Sequence, residues 1–105
     1  MIRVYAHRSG ERCRLYVTGH ADGGEERHVI CAGVSALCGA LILYAAANCK
    51  NARYYMAHGE VFLSCPTLGE GFEVVLQGIR EIAKTYPDQV KLMQYEPVDD
   101  KIEVM

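Results

Sequence analysis

The chain has 105 residues, half of them hydrophobic, with 11 Lys and Arg against 13 Asp and Glu for a formal net charge of −2. That length suits one domain, residues 1–105, with enough apolar material for its own core. The charge balance argues against capture by nucleic acid or an anionic membrane surface. Five cysteines with no CxxC pair, and no charged-then-apolar leader, point to free thiols in a reduced cytoplasmic compartment.

Ile2, Val4 and Ala6 alternate with Arg3 and Tyr5, which predicts a strand over 2–6. A turn around Ser9-Gly10 leads to a second strand, in which Cys13, Leu15 and Val17 alternate with Arg14, Tyr16 and Thr18. Gly19-His20 closes it, and the loop "ADGGEERH" follows. A helix is predicted over 29–48, where Gly33 and Gly39 cost helix stability and suit the close approach of another backbone. Residues 29–47 carry no charge, a run of 19 that reaches bilayer-spanning length. Its richness in Ala, Gly, Ser and Cys, and its place between two hairpins, favour the central helix of a compact fold.

A second hairpin is predicted from strands at 54–57 and 60–65, with His58-Gly59 as the turn and Pro66 as the stop. Thr67 with Glu70 offers a capping box. Phe72, Val75, Leu76, Ile79, Ile82, Ala83 and Tyr86 then share one helical face, with Glu70 and Glu73 early, Lys84 late and Pro87 ending the helix. Residues 90–95 read as a last strand before a polar tail. The order β-β-α-β-β-α-β predicts an α+β two-layer sandwich, two helices against one face of a mainly antiparallel or mixed sheet.

A cysteine near a helix N-terminus has its thiolate favoured by the dipole and by unpaired N–H groups. Cys31, third in the predicted helix, is the one cysteine so placed. Cys38 and Cys49 lie deep in the helix or at its far end, and Cys13 and Cys65 lie on strands. N–H groups of the first turn suit an oxyanion, Gly33 would let a substrate approach, and Ser35 sits one turn along the same face. His20 ends a strand eleven residues upstream, so a Cys–His pair for acyl transfer is one reading. A core cysteine beside a turn histidine is the plain alternative. A metal site from His20, His28 and Cys31 lacks a fourth ligand and is set aside. Tyr54, Tyr55, Tyr86 and Tyr95 read as packing residues, since no basic stripe accompanies them.

"TGHA", the glycine-bearing loop and "VICAGVSAL" together resemble the ribosomal-processing cysteine protease family, Prp, whose pattern runs Gly-His-Ala, loop, Gly-x-Asp-Ile-Val-Cys-Ala-Ala-Val-Ser. The resemblance covers the whole chain. It implies a cytoplasmic bacterial cysteine endopeptidase that works as a homodimer without a cofactor. Its implied substrate is the precursor of large-subunit ribosomal protein number twenty-seven, whose short N-terminal extension is removed after a Phe-rich segment before ribosome assembly. By position, His20 and Cys31 match the family's catalytic pair and Ser35 a supporting serine. The loop Ala21, Asp22, Gly23, Gly24, Glu25, Glu26 and Arg27 matches the segment that covers the site and moves to admit a peptide. One position departs: His28 stands where the family has Asp. Asp22, Glu25 or Glu26 would have to supply a carboxylate, or the dyad acts without one. A non-catalytic peptide-binding or ribosome-assembly module is the competing class, and neither reading calls for nucleic acid or membrane.

Overall fold

Period-two alternation places Val4, Cys13, Leu15 and Val17 on one face of an antiparallel hairpin, β1 (Ile2–Ser9) with β2 (Arg12–Thr18), in register Val4↔Val17 and Ala6↔Leu15. The computed structural model describes residues 1–93; the last two positions of the predicted 90–95 strand, Tyr95 and the polar tail lie outside them. The remaining elements are α1 (Arg27–Asn48), β3 (Arg53–Ala57), β4 (Glu60–Cys65), α2 (Glu70–Thr85) and β5 (Val90–Met93). The five strands form one mixed sheet in the order β3-β4-β2-β1-β5, antiparallel except for the β1–β5 pair. This is the α+β two-layer architecture expected from the sequence.

The inward face of the sheet carries Ile2, Val4, Leu15, Val17, Val61, Leu63 and Val90, all buried. Both helices close over it, α1 with Ile30, Val34, Cys38, Leu41, Ile42 and Ala45, and α2 with Phe72, Leu76 and Ile79. The helices meet where one lacks a side chain: a Cβ on Gly33 would lie 3.3 Å from Ile82 Cδ1, and one on Gly78 would lie 3.0 Å from Leu37 Cδ1. Gly33 thus serves the α1–α2 contact. Among the described residues α1 alone is long and apolar enough to cross a bilayer, and here its inward side builds the core. On the open face of the sheet, Tyr5, Tyr16 and Tyr55 pack around Phe62, and Glu60 accepts the hydroxyls of Tyr16 and Tyr55. Those two donors hold the Glu60 carboxyl below its usual range.

Three local expectations change. Helix α1 begins at Arg27, not 29, with Ile30 N–H already donating to Glu26 O at 3.0 Å, so Cys31 is its fifth residue. The Thr67–Glu70 capping box does not form. The N–H groups of Leu68 and Gly69 donate to Glu11 O, Gly69 takes the N-cap at φ +60, and Thr67 Oγ1 sits 3.3 Å from Cys49 Sγ. Nor are all five thiols free. Cys49, the C-cap of α1, is bonded to Cys65 at the end of β4, leaving Cys13, Cys31 and Cys38 as thiols. The pair spans a sequence separation of 16, for which the chain-entropy account gives about 3 kcal/mol of stabilisation. CxxC spacing could not reveal it, because the two cysteines come from different elements that meet only in the folded chain.

Candidate active site

Strand β2 ends at Thr18, and Gly19 then turns the chain with φ +98. Only glycine fits there. A Cβ would lie 2.2 Å from the Met1 carbonyl oxygen, and the φ lies where L side chains are rare. Gly19 N–H donates to Gly59 O at 3.0 Å, tying the end of β2 to the β3–β4 turn. His20 therefore stands exposed at the end of the sheet, against His58 and Gly59. The His20 and His58 rings lie 4.6 Å apart with a 40° tilt. A Cβ on Gly59 would come within 2.5 Å of His20 Nε2, so the imidazole fills the space Gly59 leaves.

The next residue, Ala21, is buried, and its N–H donates to Cys31 Sγ at 3.3 Å. One backbone link thus separates the His20 side chain from the donor that touches the sulfur. The Ala21 N–H is a backbone donor aimed at the sulfur from the residue that follows His20. Cys31 is half-buried and opens on a cleft of about 400 Å³ that His20, Ser35, His58 and Gly59 also line. Ile2, Val17, Val34, Met56 and Val61 supply the cleft's apolar wall. Among the described residues no hydrogen bond joins His20 to Cys31. Unliganded sites commonly leave such contacts open until substrate closes them.

The other thiols have a different chemistry. Burial pushes Cys38 up to about 12, and burial also raises Cys13 above its ordinary value. With Cys49 and Cys65 joined, Cys31 alone is a thiol facing a cleft.

The remaining candidate residues are placed as follows. Ser35 lies in the cleft one turn beyond Cys31, exposed. His28 is exposed on the first turn of α1 and does not line the cleft. Gly33 faces Ile82 rather than the cleft. The N–H groups of 31–33 fall after the first intrahelical bond, so the helix ladder uses them and they do not serve an oxyanion. The loop docks on the α2–β5 connection: Gly23, Gly24, Glu25 and Glu26 line a second cleft with Tyr86 and Gln89, and Asp22 N–H donates to Gln89 Oε1 at 3.0 Å. Asp22 pairs with the Met1 ammonium at 3.1 Å, which holds its carboxyl below the usual range. Glu26 accepts the Tyr86 hydroxyl, which pushes that phenol up. None of Asp22, Glu25 and Glu26 lines the Cys31 cleft. No cluster of three His, Cys, Asp or Glu side chains among the described residues is arranged to hold a metal ion.

His58 was read in the sequence only as a turn residue. The signal for it lies in the pairing: with Thr18 opposite Glu60, residues just before Glu60 stand at the same sheet end as residues just after Thr18.

A family profile described as "Cysteine protease Prp" matches residues 1–91. The chain belongs to the Prp family of cysteine proteases. Solved structures share its fold. The "Essential Ribosomal Processing Protease Prp from S. aureus", in complex with a covalently linked product peptide, superposes with TM-score 0.72 at 22% identity, over 90% of this chain and 99% of that one. The same S. aureus protease in complex with a substrate peptide gives 0.67 at 20% identity, again over 90% and 99%. SMU.848 from Streptococcus mutans gives 0.67 at 24% identity, over 90% of this chain and 94% of that one. No curated protein matches the chain. A Prp-type cysteine protease needs an accessible thiol, and that requirement selects Cys31 as the candidate nucleophile.

Proposed function

We propose that this Prp-family protease removes the short N-terminal extension of large-subunit ribosomal protein number twenty-seven, with Cys31 as nucleophile and His20 as general base and acid. The observation that carries the reading is the Ala21 N–H on Cys31 Sγ, with His20 as its chain neighbour on the same cleft. His20 takes the Cys31 thiol proton as the sulfur attacks the scissile carbonyl. The tetrahedral oxyanion collapses to a thioester, and His20 gives its proton to the departing amine. Water, deprotonated by His20, then attacks the thioester, releasing the peptide acid and restoring the thiol. The Ala21 N–H, which donates to the sulfur at 3.3 Å, supports the developing charge.

The apolar wall of the cleft suits a hydrophobic segment before the scissile bond, and the S. aureus relative is itself a ribosomal processing protease bound to peptides. Ser35 supports the site from one turn along α1. Within the loop Ala21–Arg27, the part from Asp22 onward leaves its seat on the α2–β5 connection to admit the peptide, while Ala21 stays on Cys31. The reading takes residues 1–105 as one domain that works as a cytoplasmic homodimer without a cofactor. A peptide copying the junction of that extension, incubated with the protein and analysed by mass spectrometry, should be cut once. A folded protein that leaves the peptide intact would overturn the substrate assignment.

A further inference from the structure

Among the described residues no hydrogen bond or ion pair joins the His20 imidazole to a carboxylate: the acids at 22, 25 and 26 are absent from the lining of the Cys31 cleft, and Glu60, which does line it, accepts the Tyr16 and Tyr55 hydroxyls. The His20 ring meets a second imidazole instead. The His20 and His58 rings are 4.6 Å apart, both line the cleft, and their backbones are joined by the Gly19 N–H to Gly59 O bond at 3.0 Å. The missing side chain at Gly59 opens the space in which His20 Nε2 lies. Two rings on backbone segments tied by a hydrogen bond have few ways to part, so each restricts the other's rotamers.

We propose that His58 is a positioning residue for His20, fixing its ring at the sheet end so that it is ordered when it takes the Cys31 proton. This rests on His20 being the base. An ordered ring loses less freedom when it reaches the thiol. The other titratable groups lining the cleft are Cys31 on α1 and Glu60 on β4, whose carboxylate is committed to Tyr16 and Tyr55; beside Gly19 the Met1 ammonium is paired with Asp22. His58 is exposed, so its replacement leaves the core alone.

A double-mutant cycle on the full chain tests this, reading both kcat and KM on the junction peptide and the rate of Cys31 alkylation by iodoacetamide. His58→Ala should lower kcat by roughly tenfold, a fraction of what a general base contributes. KM should hold, alkylation should slow in parallel, and thermal stability should not change. His58→Phe, which keeps a ring, should recover much of the loss. In a His20→Ala background His58→Ala should change neither rate, because a residue acting through His20 has nothing left to position. An equal loss in both backgrounds, or a loss confined to KM, would overturn the role. A His20→Ala protein that alkylates and cleaves like the parent would remove the base assignment itself, an outcome distinct from failure at His58 alone.

Discussion

Cys31→Ala is expected to lower peptide turnover by on the order of 10⁵-fold or more, the loss seen when a covalent nucleophile is removed, with the fold intact. The side chain is half-buried at the mouth of a cleft, so its truncation opens toward solvent and leaves no core cavity. Cys38→Ala makes the informative contrast. That thiol is fully buried and far above the range in which it would ionise at neutral pH. Losing it removes a small apolar group, costing about 1 kcal/mol, and turnover persists. Steady-state cleavage assays with urea melts on both variants check the pair. The expected pattern is lost activity with retained stability at Cys31, and the reverse at Cys38. Equal activity losses would mean that neither cysteine had been correctly assigned.

Gly19→Ala is expected to be the most damaging single-methyl change at this end of the sheet. The φ of +98 costs an L residue about 1–3 kcal/mol. The new Cβ would also stand 2.2 Å from the Met1 carbonyl oxygen and 3.3 Å from its carbon. Those are backbone atoms, which no rotamer change can move aside. Relief must come from shifting the start of β1, where Ile2 N–H donates to Gln89 O at 2.8 Å and Ile2 pairs with Val90. The same shift breaks the Gly19–Gly59 bond and swings His20 off the β3–β4 turn. We expect a stability loss of about 3 kcal/mol or more and loss of cleavage, read by urea titration and by the peptide assay. Gly10→Ala is the control, because a Cβ there meets nothing within 4 Å although its φ is +63.

The contrast between these two glycines shows what the sequence could and could not reveal. In β4 the apolar run Val61-Phe62-Leu63 carries no alternation. Strand alternation identified the inward residues of β1 and β2, Ile2, Val4 and Ala6 with Cys13, Leu15 and Val17, because one buried face imposes period two. The helical face of α2 was legible for the same reason, with Phe72, Leu76 and Ile79 buried and Val75, Ile82, Ala83 and Tyr86 packed at its edge. The parallel β1–β5 pairing was not legible, since nothing local distinguishes an edge strand's partner. The start of α1 slipped because its N-cap, Glu26, makes no side-chain cap. The Thr67–Glu70 box failed because Glu11, distant in sequence, captures the N–H groups it needed. Cys31, His20 and Ser35, which the motif singles out, line one cleft. Gly33 was read as an opening for substrate, yet its bare Cα serves α2, since a helical residue's direction depends on rotation about the axis. His58 escaped notice because its meeting with His20 depends on the β2–β4 register.

The most direct test of the account is to treat the protein with a chloromethyl ketone of a hydrophobic peptide ending at the proposed scissile residue, follow the intact mass, and map the adduct. The account predicts one adduct, on Cys31, with cleavage lost in proportion to labelling and labelling strongly slowed by His20→Ala. Cleavage that survives complete labelling of Cys31, or an adduct carried by another cysteine, would contradict it.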